Sequence, residues 1–147
     1  MPANPPENTP RITSNVFYDD PASALEWLAK AFGFETQSSI PGPDGSIMHA
    51  EMKVEDSKIM LSPTAGSEHW KSPKSLSGSV TQGLYVYVDN VDAHCARARA
   101  AGANIASDPE DMFWGDRTYV AEDLEEHRWT FAQHNRDIAP EDMKPPA

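Results

Sequence analysis

Hydrophobic positions along this chain switch between two periods, and the switches occur twice in the same order. In "RITSNVFYDD" (residues 11–20), Ile12, Ser14, Val16 and Tyr18 alternate with Thr13, Asn15 and Phe17. A period of two is that of a strand whose faces differ. The period then lengthens, and Leu25, Leu28, Ala29 and Phe32 fall on one side of a helix. Asp20 is placed to cap that helix, Pro21 suits its first position and Gly33 can end it. "PGPDGS" marks a turn, and "IMHAEMKVEDSKIML" reads as two strands joined at "EDSK".

The same succession restarts at residue 83. "GLYVYVDN" alternates Leu84, Val86 and Val88 with Tyr85 and Tyr87. Val91, Cys95 and Ala98 then share a helix face that Gly102 closes, and two strands, "RTYVA" and "HRWTFAQ", follow "SDPEDMFWGD". Val16 and Val86, Asp19 and Asp89, and Met60 and Thr130 keep one common separation. Strand, helix, strand, strand, or a variant with one more strand, thus occurs twice, which predicts a duplicated βα module. Each sheet needs its helix on one face, leaving the other free, and two such sheets side by side make a half-barrel with a concave cavity. The fold class is α+β. The predicted divisions are a disordered tail at 1–10, a first module at 11–65, a Ser-, Gly- and Pro-rich linker at 66–80, a second module at 81–135 and a C-terminal tail at 136–147.

Composition narrows what such a domain does. At 147 residues and 39% hydrophobic, the chain can pack one interior but not a rich one. No apolar run approaches the ~18 residues of a membrane span, and "MPANPPENTP" lacks the basic and apolar regions of a secretory signal. The single cysteine, Cys95, allows no internal disulfide and suits a reducing compartment, so the expected location is cytoplasmic. A formal net charge of −11 repels nucleic acid and anionic membranes and steers cationic ligands towards the surface. There is no Gly-rich phosphate loop, Cys-x-x-Cys pair or Gly-x-Ser-x-Gly elbow.

At "FYDDPASALEWLAKAFGFE", "GLYVYVDNVDAHCARARAAGA" and "WGDRTYVAEDLEEHRWTFAQH" the chain resembles the vicinal-oxygen-chelate superfamily, which holds glyoxalase I, bleomycin-resistance proteins and extradiol dioxygenases. The likeness is to its small bacterial branch and covers Arg11 to His134. It implies paired βαβββ modules, a cavity between them and a homodimer. Where such proteins use a metal, four inward side chains, typically His and Glu, bind it. Here those positions fall on Thr13, Met60, Gly83 (Leu84 if the register slips) and Thr130. Thr, Met and Gly cannot replace carboxylate and imidazole donors, so no metal and no cofactor are expected. Metal-dependent isomerase and ring-cleaving chemistry are disfavoured with it, since both need a metal to polarise oxygens or activate dioxygen. The branch usually has glycine before the histidine of "HRW", where this chain has Glu126, which predicts an altered turn into the last strand.

Alternation then assigns the cavity lining. Thr13, Asn15 and Phe17, His49 and Glu51, Met60 and Ser62, Tyr85 and Tyr87, Arg117 and Tyr119, and Arg128 and Thr130 are expected to point away from the helices. Ile12, Val16, Ile59, Leu61, Leu84, Val86, Trp129 and Phe131 are expected to meet them. His49 and Glu51 read either as an acid–base pair, or half of a relocated metal site, or as a polar pair on an exposed strand. Phe17, Tyr85, Tyr87 and Tyr119 make an aromatic wall suited to planar or cationic ligands, or simply fill the half-barrel. Trp114 could be a lid stacking on a ligand and Arg117 a bidentate anchor for an anionic group; the plainer reading is a turn glycine and an Arg117–Asp116 or Arg–Glu surface pair. Trp70 is either a staple onto the core or a contact at a dimer or ligand mouth. His94 and Cys95 face different directions on their helix, and His127 and His134 read as turn or solvent-facing residues. The expected ligand-binding set is Asn15, Phe17, Met60, Tyr85, Tyr87, Trp114, Arg117, Tyr119, Arg128 and Thr130. Together these predict a metal-independent protein that binds a small molecule, drug or metabolite. The enzymatic alternative is a lyase, isomerase or hydrolase-like activity using His49 and Glu51, with or without a relocated metal and with Arg117 holding substrate; a third reading is a structural or regulatory dimer with a vestigial cavity.

Overall fold

Both helix signals are realised at the residues that carry them. In a computed structural model that describes residues 1–147, Asp20 caps helix α1 (Pro21–Phe32), its carboxylate accepting the Ser23 N–H. Gly33 ends α1 at φ 78°, a left-handed conformation that costs glycine nothing. Asn90 does the same work for helix α2 (Val91–Ala100), accepting the Ala93 N–H at 3.0 Å. Val91, Cys95 and Ala98 form the buried stripe of α2.

Around the helices the order is βαβββ, twice. The first set is β1 (Ser14–Tyr18), α1, β2 (Glu35–Pro41), β3 (Ile47–Val54) and β4 (Ser57–Pro63). The second is β5 (Leu84–Tyr87), α2, β6 (Asn104–Asp111), β7 (Asp116–Glu122) and β8 (Arg128–His134). Each set makes one four-stranded sheet, ordered β1-β4-β3-β2 and β5-β8-β7-β6. In each, the first and last strands pair in parallel and the others antiparallel. Asn15 pairs with Met60 and Tyr85 with Thr130, so the duplicated spacing in the sequence is a duplicated register in the sheets.

The chain divides into two compact units. One comprises residues 1–29 and 33–71; the other comprises residues 30–32 and 72–147. In the first, Val16, Tyr18, Ala50, Met52 and Leu61 make one buried sheet face, and Leu28 of α1 is buried as well. Sinking a leucine such as Leu61 completely is worth about 1.5–3 kcal/mol, and this face is where the unit's stability comes from. In the second, Trp129 and Phe131 of β8 are fully buried and pack edge-on against Phe32, at ring distances of 5.8 and 4.7 Å. Ile12, expected on the first apolar face, precedes β1 and is 89% exposed.

β2 and β6 are the added strands of each unit. "ETQSSIP" is exposed along its whole length, and "NIASDPED" carries Pro109, both as edge strands require. Register shifts interrupt both.

β7 departs from the expected alternation. Tyr119 lies opposite Phe131 and Arg117 opposite Gln133, and residues paired across antiparallel strands share a face. Tyr119 and Arg117 therefore face α2 rather than the open side. Tyr119 is fully buried with its hydroxyl 2.6 Å from His94 Nδ1, and Arg117 donates to Asp92 and Asp111 at 3.1 and 3.3 Å. Side-chain type misled here: a tyrosine and an arginine can both sit on a helix-facing side when that side supplies their partners.

Glu126 holds φ +70° in the turn between β7 and β8. The turn thus keeps a backbone geometry that favours glycine although glycine is absent. A left-handed non-glycine residue costs roughly 1–2 kcal/mol, partly offset by the unfolded-state freedom a glycine adds. Glu126→Gly is accordingly expected to stabilise the fold by about 1 kcal/mol, read as a higher urea midpoint; an unchanged or lower midpoint would show that the Glu126 side chain compensates the strain.

Candidate functional site

The open face of the first sheet carries Asn15, Phe17, His49, Glu51, Met60 and Ser62, as the alternation predicts. Ser62 donates to the Asn15 side-chain oxygen at 2.9 Å. Glu51 accepts from Lys58 Nζ at 2.6 Å and stands 3.2 Å from His49 Nε2. The Lys58 ammonium, then the His49 contact, hold the Glu51 carboxyl below its ordinary range, so it is an ionised acceptor. Sequence reading missed Lys58, although it precedes Met60 by two residues on the same strand face.

Trp70 stacks flat on Phe17, with ring centres 4.5 Å apart and planes 1° from parallel. Its loop is built for this: Ser67 Oγ accepts the N–H groups of His69 and Trp70, and Lys71 Nζ donates to the Ser67 carbonyl. Trp70 is nevertheless 57% exposed.

The second open face centres on Asp116, which is almost completely buried. Its Oδ2 accepts from the hydroxyls of Tyr85 at 2.7 Å and Tyr87 at 2.9 Å, and its Oδ1 lies 2.7 Å from His134 Nδ1. Register explains the arrangement. Tyr87 of β5 pairs with Ala132 of β8, which pairs with Thr118 of β7. To reach Asp116 on β7 the two phenols must lie across β8, and Thr118 and Ala132 beneath them are buried although they are on the open side. Trp114 Nε1 donates to the Tyr85 oxygen at 3.1 Å, and Phe113 meets Trp114 edge-on at 5.0 Å. Thr130 shares this face, and Arg128 lies at its margin, paired with Glu122 at 3.1 Å.

The electrostatics follow from those bonds. Burial, then the Asp116 bond, pushes the Tyr85 phenol up to about 12; the same bond raises Tyr87. Burial opposes the charge on Asp116, but donation from Tyr85, His134 and Tyr87 outweighs it and keeps the carboxyl below its ordinary range. His134 is raised by Asp137, 2.7 Å from its Nε2, and then by Asp116. From sequence Asp116 reads as one candidate surface partner of Arg117, and His134 as a turn or solvent-facing residue; neither reading anticipates that they meet. His94, by contrast, is a structural residue. Burial lowers its basicity, its Nε2 lies 2.9 Å from the Phe32 carbonyl, and a carbonyl only accepts, so Nε2 carries the proton and Nδ1 accepts from Tyr119.

The positions at which the resemblance implies metal ligands, with Leu84 in place of Gly83 if the register slips, carry side chains of other kinds. Thr13, Met60, Gly83 and Thr130 provide no carboxylate or imidazole, and no three His, Cys, Asp or Glu side chains gather so as to hold an ion.

The family model described as the Glyoxalase/Bleomycin resistance protein/Dioxygenase superfamily matches residues 11–131. An uncharacterized protein of Mycobacterium bovis is 33% identical over 132 residues, covering 88% of this chain and 86% of the relative. The crystal structure of TioX from Micromonospora sp. ML1 is similar at 30% identity with a TM-score of 0.68, covering 85% of this chain and 98% of that one. A glyoxalase/bleomycin resistance protein/dioxygenase from Nocardioides, at 19% identity, shares the fold with a TM-score of 0.64 over 89% of this chain and 87% of that one. With its twice-repeated βαβββ order and a family match reaching from β1 into β8, the chain belongs to the glyoxalase/bleomycin resistance protein/dioxygenase superfamily.

Proposed function

We propose that this protein binds a small molecule, a drug or a metabolite, without a metal, and does so as a cytoplasmic homodimer. One observation carries the reading: the positions at which the resemblance implies metal ligands hold Thr13, Met60, Gly83 (Leu84 if the register slips) and Thr130, while the open face of the second sheet presents the rings of Tyr85, Tyr87 and Trp114 with their polar atoms already paired. Sites that hold organic ligands are mainly apolar and aromatic with a few fixed polar groups, and Tyr85, Tyr87 and Trp114 fixed around Asp116 match that description. No helix is long and apolar enough to cross a membrane. The test is a thermal-shift panel of planar and cationic compounds run with and without EDTA. The expected result is that at least one compound raises the melting temperature equally in both conditions; no shift across the panel, or shifts abolished by EDTA, would count against it.

The enzymatic reading rests on His49 Nε2 standing 3.2 Å from Glu51 Oε2. Lys58 weakens it, because a carboxylate already paired with an ammonium is a poorer base. His49→Ala separates the two: it leaves ligand-induced stabilisation intact if the protein is a binder, and abolishes turnover if His49 does chemistry.

A further inference from the structure

We infer that the ligand of the second sheet's open face is an organic cation, a quaternary or protonated amine carried on a planar body, held over the rings of Tyr85 and Tyr87 in front of Asp116. The inference rests on the small-molecule reading above and names the ligand class for it.

Tyr85 and Tyr87 are 46% and 56% exposed, with ring centres 5.5 Å apart and planes at 68°, so they form an open aromatic corner. Both phenolic protons are committed to the Asp116 carboxylate. A phenol that donates to an anion becomes more electron-rich, which strengthens the attraction of its face for positive charge. Trp114 donates its indole N–H to the Tyr85 oxygen and so helps hold that ring still. A neutral polar ligand therefore meets hydroxyls whose donors are already used. An anion meets a buried carboxylate and a chain of net charge −11. A cation is favoured by both rings, by the carboxylate behind them and by the long-range field.

The charged neighbours do not cancel this preference. His134 contacts Asp116 from the end of β8 and Asp137 from the following segment, so even a protonated His134 leaves one negative charge in the group. Arg128, the cation on this face, is paired with Glu122.

The experiment titrates the protein at pH 8 with three planar probes of similar size: N-methylacridinium, acridine, which is neutral at that pH, and anthracene-2-sulfonate. N-methylacridinium is expected to bind about ten-fold more tightly than acridine, and the sulfonate more weakly than both. Tyr87→Leu is expected to cut the N-methylacridinium affinity about three- to ten-fold while Tyr87→Phe, which keeps the ring, retains most of it. Equal binding of acridine and N-methylacridinium would overturn the inference and leave the small-molecule reading standing. Cation preference unchanged in Tyr87→Leu would overturn it too, by tracing the preference to overall charge. Binding of none of the three would overturn it and remove the aromatic corner as support for the broader reading.

Discussion

Asp123→Ala is expected to lower the free energy of unfolding by about 3–5 kcal/mol, read from urea denaturation. The Asp123 carboxylate is buried and gathers donors from three residues. Its Oδ1 accepts the backbone N–H groups of Glu125 at 2.9 Å and His127 at 3.0 Å, and its Oδ2 accepts the indole N–H of Trp129 at 3.1 Å. His127 Nδ1 lies 3.2 Å from Oδ1. Glu125 and Trp129 are buried as well, so an alanine strands donors where water does not readily replace the carboxylate. The effect reaches function because this turn sets where β8 begins. With Trp129 pinned inward, Thr130 falls on the open face beside Tyr85. Asp123→Asn keeps one acceptor and is expected to cost less than Asp123→Ala. A loss below about 1 kcal/mol for alanine would mean the turn is held by the chain alone, at the level of an ordinary exposed hydrogen bond.

Gly115→Ala carries the second large effect, about 2–4 kcal/mol of destabilisation. Gly115 has φ 103°, which side chains disfavour, and a Cβ added there would stand 2.0 Å from the Arg136 carbonyl oxygen. The contact is backbone on backbone, because the N–H groups of Asn135 and Arg136 both donate to the Gly115 carbonyl at 3.0 Å. Alanine must displace residues 135–138 and, with them, the Asp137 contact on His134. Hydrogen exchange reads this directly, as faster exchange at Asn135 and Arg136. Since Gly115 lies between Trp114 and Asp116, ligand affinity should fall in the same variant; intact protection at Asn135 and Arg136 would contradict the account.

How far the sequence revealed this molecule depended on what each residue needed. The helix ends were legible because Asp20 and Gly33 do locally what their chemistry favours in any protein. The open face of the first sheet was legible because its buried partners, Val16, Leu61 and Met52, are all apolar, and alternation then separates the faces cleanly. β2 and β6 left no such trace, since an exposed edge strand has no buried face to mark with apolar residues. On β7 both faces mix polar and apolar residues, and only knowledge of the partners (His94 for Tyr119, Asp92 for Arg117) decides which way they point. Asp116 was the costliest miss. A buried aspartate beside a glycine reads as a turn residue until the register brings Tyr85, Tyr87 and His134 to it.

The central claim is that this member of the superfamily binds its ligand without a metal, and the metal content of protein purified without chelators tests it most directly. Zinc, nickel, manganese and iron are each expected far below one ion per chain after gel filtration, with thermal stability unchanged when the ions are added back. About one ion per chain, retained through gel filtration and lost together with stability on EDTA treatment, would contradict it; His49 and Glu51 would then be the first residues to replace in search of a relocated site.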